Sequence, residues 1–233
     1  MKIPTEPIGS IPRSAELIEA MTSQPNSDYF KKLLARETEL TVREFEETGS
    51  PVISDGEQSK SSFVTYPLQG LSNISNGGMK IEFADGHSRQ LPLLTEGPFR
   101  YGNYAVQYLT MAQKFAKVPV KQAVISASAL SLIYPPAGIK GYSQSEFIED
   151  LINECEKDIR QCLEQNAFKV QMDFTEGRLS LKLDPSGGVL RQFIALNNRV
   201  FDRFSGAEQK KLGIHVCPGG DIDSTHSADV DYT

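Results

Sequence analysis

Short apolar runs alternate with long amphipathic stretches along this chain. Apolar residues spaced three and four apart mark one face of a helix, whereas compact or alternating runs mark strands. Pro7-Ile8-Gly9-Ser10 is the first candidate strand. From about Ser27 to Thr48, Phe30, Leu33, Leu34, Glu37, Leu40, Thr41 and Phe45 share a helical face, and Gly49 and Pro51 end that helix. Pro51 to Ser54 is the second strand and runs into Asp55-Gly56-Glu57. Leu91 to Thr95, Lys121 to Ser126, Phe168 to Asp173 and Leu212 to Cys217 are the further strands, six in all.

The intervening stretches read as helices. One spans about 103–116 and stops before Pro119. Ser143-x-x-Glu146 is a capping box that opens another, with Ile148, Ile152, Cys155, Ile159 and Cys162 on its apolar stripe. Val189, Phe193, Leu196, Val200 and Phe204 mark a third. Residues 70–93 break the rhythm: Met79 to Phe83 alternates and Asp85-Gly86 is a turn signal, so a β-hairpin insertion is expected there.

Strand–helix alternation at this spacing predicts a parallel sheet with crossover helices. The expected fold class is α/β, a (β/α) TIM-type barrel in incomplete form, with about six of eight units. The whole of 1–233 reads as one domain containing the 70–93 hairpin. No G-x-G-x-x-G follows the first strand, which removes the dinucleotide-binding alternative.

Composition narrows the class further. At 233 residues, 39% hydrophobic and 23% charged, the chain is long enough and apolar enough for a sizeable core. Its net charge of −6 comes with interspersed signs and no basic patch, so no nucleic-acid partner is expected. No apolar run reaches membrane-spanning length and no signal-peptide core opens the chain, so no membrane partner is expected. Three cysteines are too few for a disulfide framework, which points to the cytoplasm.

In a (β/α) barrel the chemistry sits at the carboxyl ends of the strands. Those ends carry Gly9-Ser10, Asp55 and Glu57, Asp173 and Glu176, and His215 and Cys217. Positions i and i+2 of a strand face one way, so His215 and Cys217 project together as two zinc-type ligands. They also fit a packed pair inside the barrel. Asp55-Gly56 fits a structural turn, and Glu57 a solvated side chain. His226 fits either a further ligand or a loop residue. Cys155 and Cys162, seven apart on one stripe, read as buried thiols.

Taken in order, Ile8-Gly9-Ser10-Ile11-Pro12, Gly56-Glu57, Val170-Gln171-Met172-Asp173 and His215-Val216-Cys217 resemble the catalytic barrel of cobalamin-independent methionine synthase, and more closely its single-barrel relatives. The resemblance spans about residues 8–217. It implies a zinc-dependent methyltransferase that moves a methyl group from 5-methyltetrahydrofolate to the thiol of homocysteine. By motif, Ile8, Gly9 and Ser10 hold the amino-acid end of homocysteine, Glu57 and Asp173 bind its ammonium, and His215 and Cys217 ligate zinc. This chain has Asp173-Phe174-Thr175-Glu176 where the synthase favours Asp-Glu-Pro. The family's remaining zinc ligands lie on later strands, so the chain reads as truncated after its sixth strand. Two alternatives stand beside this reading: a zinc-dependent alkyltransferase for another thiol, and an inactive fragment.

Overall fold

The computed structural model describes residues 5–25, 27–221 and 224–227. In chain order the elements begin with helices α1 (Ala15–Ser23) and α2 (Asp28–Glu47). Four short strands follow: β1 (Ile74–Ser75), β2 (Lys80–Glu82), β3 (Ser88–Gln90) and β4 (Leu93–Leu94). Then come α3 (Val106–Gln113), β5 (Gln122–Ile125), α4 (Ala127–Ser131), α5 (Gln144–Glu164), β6 (Val170–Asp173), α6 (Gly177–Leu183) and α7 (Gly188–Phe201). The remainder is α8 (Gly206–Gln209), β7 (Leu212–His215), β8 (Gly220–Asp221) and β9 (Ser224–Thr225).

The centre is a parallel sheet in the order β5-β6-β7. Its register aligns Ile125 with Asp173 and Asp173 with His215, so the last residues of the three strands lie side by side. Every residue of β5 and β6 is buried, as a strand covered on both faces requires. On the far side of β5 the chain pairs once more, through a parallel bridge between Ile53 and Val120. Pro51 and Pro119 flank that bridge and donate no N–H, which keeps it short.

α5 shows how the sequence fixes its element. Ser143 accepts from the Glu146 N–H while the Glu146 carboxylate reaches back, the capping box read from the sequence. Phe147, Leu151, Ile152, Cys155, Ile159 and Cys162 then bury one stripe in the core with β5, β6 and α7. Each such side chain stabilises by roughly 1.5–3 kcal/mol relative to exposure. Asp158, on the same helix, accepts from the Tyr66 hydroxyl and from the Ala105 N–H at 2.6 Å. Those bonds tie the loop after Lys60 and the start of α3 to the back of the sheet. Leu17, Ala20, Leu33 and Leu34 form a separate small core between α1 and α2.

The insertion is a hairpin, β2 with β3, turned at Asp85-Gly86 and framed by the antiparallel pair β1–β4. Its tip docks on the segment after β7: the Ala84 N–H donates to Thr225 O at 2.9 Å, and Phe83 packs edge-on against His226 with centroids 5.0 Å apart.

Several expectations need correction. No closed barrel is present among the described residues, and only β5, β6 and β7 form a continuous parallel sheet. Residues 7–10 make no strand; Ile8 O instead accepts from the Gln171 side chain at 3.0 Å, and the Ile11 N–H donates to Gly56 O at 3.2 Å. Leu93–Leu94 pairs antiparallel with β1 and not with the main sheet, because the hairpin between them returns the chain on itself. α1 adds a helix ahead of those the sequence pattern predicts, capped by the Ser14 hydroxyl. β7 ends at His215, so Cys217 stands in the following loop and the same-face argument of a strand does not reach it. The physical limit is β6, whose last link to β7 is the Phe174 N–H on His215 O; beyond it β7 has nothing to pair with there.

Candidate active site

The site is organised by the turn after Ile53. Gly56 and Glu57 both take left-handed backbone, with φ of 58° and 55°. For Gly56 this is easy; a Cβ there would also sit 2.7 Å from Thr41 Cγ2 and 3.0 Å from Ile11 Cγ1. For Glu57 it is strained, and the surroundings hold it. Asp55 Oδ1 accepts from the Glu57 N–H at 3.0 Å. Arg13 donates to Glu57 O and Lys60 O, both at 2.6 Å, and to Gln58 O at 3.1 Å. The turn drives the Glu57 side chain inward, where it is 3% exposed.

Glu57 meets Ser10 and Lys60 there. The Ser10 hydroxyl donates to Oε2, and Lys60 Nζ donates to Oε1 at 3.0 Å. Lys60 is 1% exposed and also donates to Ala123 O at 2.8 Å, at the floor of the sheet. Burial alone would lower its pKa, but Glu57, Asp55 and Asp173 overrule that and hold it above the ordinary lysine value. Burial likewise pushes Glu57 up, and Lys60 and Ser10 more than reverse it, leaving Glu57 lowered and ionised. Asp55, with burial as the main cause, is raised.

Asp173 closes the cluster from β6. It is buried, and burial pushes it up to about 6 despite Gln171 and Lys60. Gln171 lies two residues earlier on the same face of the strand. Its Nε2 donates to Asp173 Oδ1 at 2.7 Å and to Ile8 O at 3.0 Å, while its Oε1 accepts from Lys121 Nζ at 2.8 Å. Gln171 is therefore the clamp that joins the Ile8-Gly9-Ser10 segment to the sheet. Ile8 itself is exposed, and a Cβ on Gly9 would meet nothing within 4 Å.

His215 is the register partner of Asp173 and is half-buried. Burial, with Lys121 adding to it, lowers its pKa, so the imidazole is neutral at physiological pH and keeps a lone pair for a metal. Cys217 is half-buried and its Sγ accepts from the Gly219 N–H at 3.2 Å. Both donors suit zinc in kind. They are short in number, because no group of three or more His, Cys, Asp and Glu ligands exists among the described residues. His226 lies under the hairpin and bonds Ser227 at 2.8 Å.

Ser10 and Lys60 thus meet on Glu57, and Asp173 acts on the Lys60 ammonium through its charge, with His215 on the strand beside Asp173. Lys60, Lys121, Gln171 and Arg13 complete the arrangement and were not singled out in the sequence. A lysine three residues past a turn carboxylate resembles any solvated pair; only packing shows it to be internal. Gln171 was legible in principle, since a polar residue inside an otherwise apolar buried strand needs a partner.

No protein-family profile matches the chain, and no curated protein matches it. Solved structures do. A B12-independent methionine synthase from Shewanella sp. W3-18-1, in complex with selenomethionine, superposes with a TM-score of 0.70 at 17% identity, over 93% of this chain and 62% of that one. A protein assigned as a vitamin-B12-independent methionine synthase from Listeria monocytogenes gives 0.65 at 18% identity, over 91% and 64%. The chain spans less than two thirds of the length of either. Over nearly all of its own length, it shares the fold of B12-independent methionine synthase structures.

Proposed function

We propose that this chain carries the acceptor site of a zinc-dependent thiol methyltransferase of (β/α)-barrel type. Its reaction moves a methyl group from 5-methyltetrahydrofolate to the thiol of homocysteine. One observation supports the reading: Glu57 bonds both Ser10 and the buried Lys60 ammonium, the charge of Asp173 acts on the same ammonium from β6, and His215 stands in register beside Asp173. That is the environment a substrate ammonium needs, next to a metal-ligating imidazole.

The residues divide the work. Ser10 and the Ile8-Gly9 backbone position the amino-acid end of the acceptor. Glu57 and Asp173 face its ammonium and fix its orientation, which supplies the proximity contribution. Lys60 keeps Glu57 ionised while no acceptor is bound. His215 and Cys217 would hold zinc, which when bound converts the acceptor thiol to its nucleophilic thiolate. In the transfer the sulfur–carbon bond forms as the nitrogen–carbon bond breaks, and the amine left behind takes up a proton.

The test is methionine formation by the zinc-loaded protein from homocysteine and methyltetrahydrofolate. Turnover that Glu57→Gln and His215→Ala abolish supports the assignment; turnover indifferent to both removes it. A second reading is favoured by Lys60, whose ammonium already bonds Glu57: the acceptor is then a thiol without an amino group. 4-Mercaptobutanoate, homocysteine lacking its amine, discriminates the two, since only the second reading has it methylated faster than homocysteine.

A further inference from the structure

A cavity of about 470 Å³ lies beneath the β2–β3 hairpin, and none of Ser10, Glu57, Asp173, His215 and Cys217 lines it. Phe63, Phe83 and Leu132 give it apolar walls. Its ionisable lining is Glu176, Arg89 and His226, of which Arg89 and His226 have interactions of their own. The size suits a small molecule.

Glu176 is the unusual member. It is 4% exposed, three residues beyond the end of β6. Its Oε1 accepts from the Ser126 hydroxyl at 2.8 Å and from the Ser128 hydroxyl. Asn197 on α7 backs Ser128, donating to its hydroxyl at 2.7 Å and accepting from its N–H at 3.2 Å. One carboxylate oxygen is thus saturated by a network built from α4 and α7. The other, Oε2, is out of solvent and takes no hydrogen bond among the described residues. A buried polar atom left in this way calls for a partner. Glu176 lines the cavity, so a ligand held there can supply that partner while the two hydroxyls keep Oε1 in place.

The stereochemistry selects the ligand. With Oε1 already holding two hydroxyls, a planar two-pronged donor such as a guanidinium has no second oxygen to use. A single-point donor fits: an ammonium, with an apolar body to fill the rest. We propose that this cavity binds a small amine with an apolar body, its ammonium donating to Glu176 and its body lying between Phe63, Phe83 and Leu132. Burial pushes Glu176 up to about 7, with Ser128 and Ser126 opposing, so an approaching cation meets a carboxyl that ionises readily at neutral pH. This inference is independent of the thiol-transfer reading, and its test needs neither metal nor thiol.

The experiment is calorimetric titration of the full chain with 2-phenylethylamine and, as its charge-reversed counterpart, 3-phenylpropanoate. The amine is expected to bind saturably at one site, at least tenfold more tightly than the propanoate. Glu176→Gln, which places an N–H donor where the acceptor stood, is expected to cost the amine at least tenfold. In methyl-labelled protein the amine should shift Leu132 and Leu179, both in the cavity wall, and leave Leu17 and Leu33 of the α1–α2 core unmoved. Should Glu176→Gln not fold, the ligand pair and the shift map decide alone. Absence of saturable amine binding, equal or tighter propanoate binding, a folded Glu176→Gln of unchanged affinity, or shifts confined to the α1–α2 core would each overturn the proposal.

Discussion

Replacing Lys60 by Met separates a buried ion pair from its surroundings while keeping the length of the side chain. Lys60 Nζ loses its bonds to Glu57 Oε1 at 3.0 Å and to Ala123 O at 2.8 Å. Glu57 then keeps only the Ser10 hydroxyl as a side-chain donor, and Asp55 and Asp173 lose the cation that offsets their burial. Removing one partner of a buried pair costs about 3–5 kcal/mol, because the other charge is left uncompensated. That is a large share of a typical total stability of about 5–15 kcal/mol. If the loss comes from the stranded carboxylate, Glu57→Gln in the same chain should return part of it. The double variant should be more stable than Lys60→Met by at least about 1 kcal/mol, the range of coupling between contacting residues. Urea unfolding of the four proteins in this cycle measures both numbers. A Lys60→Met loss below about 1 kcal/mol, the range of an exposed pair, would refute the internal-ammonium argument. So would a double variant no better than Lys60→Met.

Three further outcomes are expected. Gly56→Ala should cost about 1–3 kcal/mol in urea unfolding, since its Cβ would meet Thr41 at 2.7 Å on left-handed backbone. Glu176 is raised from 4.5 to about 7, so the folded chain holds its proton where the unfolded chain releases it. Stability should therefore fall as pH rises across that window, and Glu176→Gln should flatten the fall; an unchanged pH slope removes the assignment. Asp173→Asn should raise KM for homocysteine about ten- to hundredfold, the value of a charge-assisted hydrogen bond, while leaving stability at pH 7 undiminished. Asp173 is raised from 3.8 to about 6, so its ionisation already disfavours the fold above that range, and a neutral amide relieves it.

The central strands and their helices were legible because their signals are local and redundant. Ser143 and Glu146 cap α5 as their spacing predicted, and the apolar stripe from Ile152 to Cys162 is the buried one. The Asp85-Gly86 turn gave the hairpin. What failed depended on partners remote in the chain. Residues 7–10 are extended in composition but bond the Gln171 side chain instead of a strand, and nothing nearby announces Gln171. Leu93–Leu94 looks like a core strand and pairs with β1 because the insertion folds back. α1 did carry a signal, Ser14 as cap with Leu17 and Ala20 buried, but over nine residues it was too short to stand out. At the site, Glu57 and Asp173 were visible as carboxylates at strand ends. The buried lysine that bonds Glu57 was not, because burial of a charge is decided by its partners and not by its neighbours in sequence.

The most direct test of thiol transfer at this site is X-ray absorption at the zinc edge of the metal-loaded protein. The account predicts a nitrogen shell near 2.0–2.1 Å and a sulfur near about 2.3 Å, the latter lost in Cys217→Ser. It further predicts one additional sulfur at the same distance when homocysteine is added. A spectrum of nitrogen and oxygen alone, unaltered by Cys217→Ser and by the thiol, would contradict it.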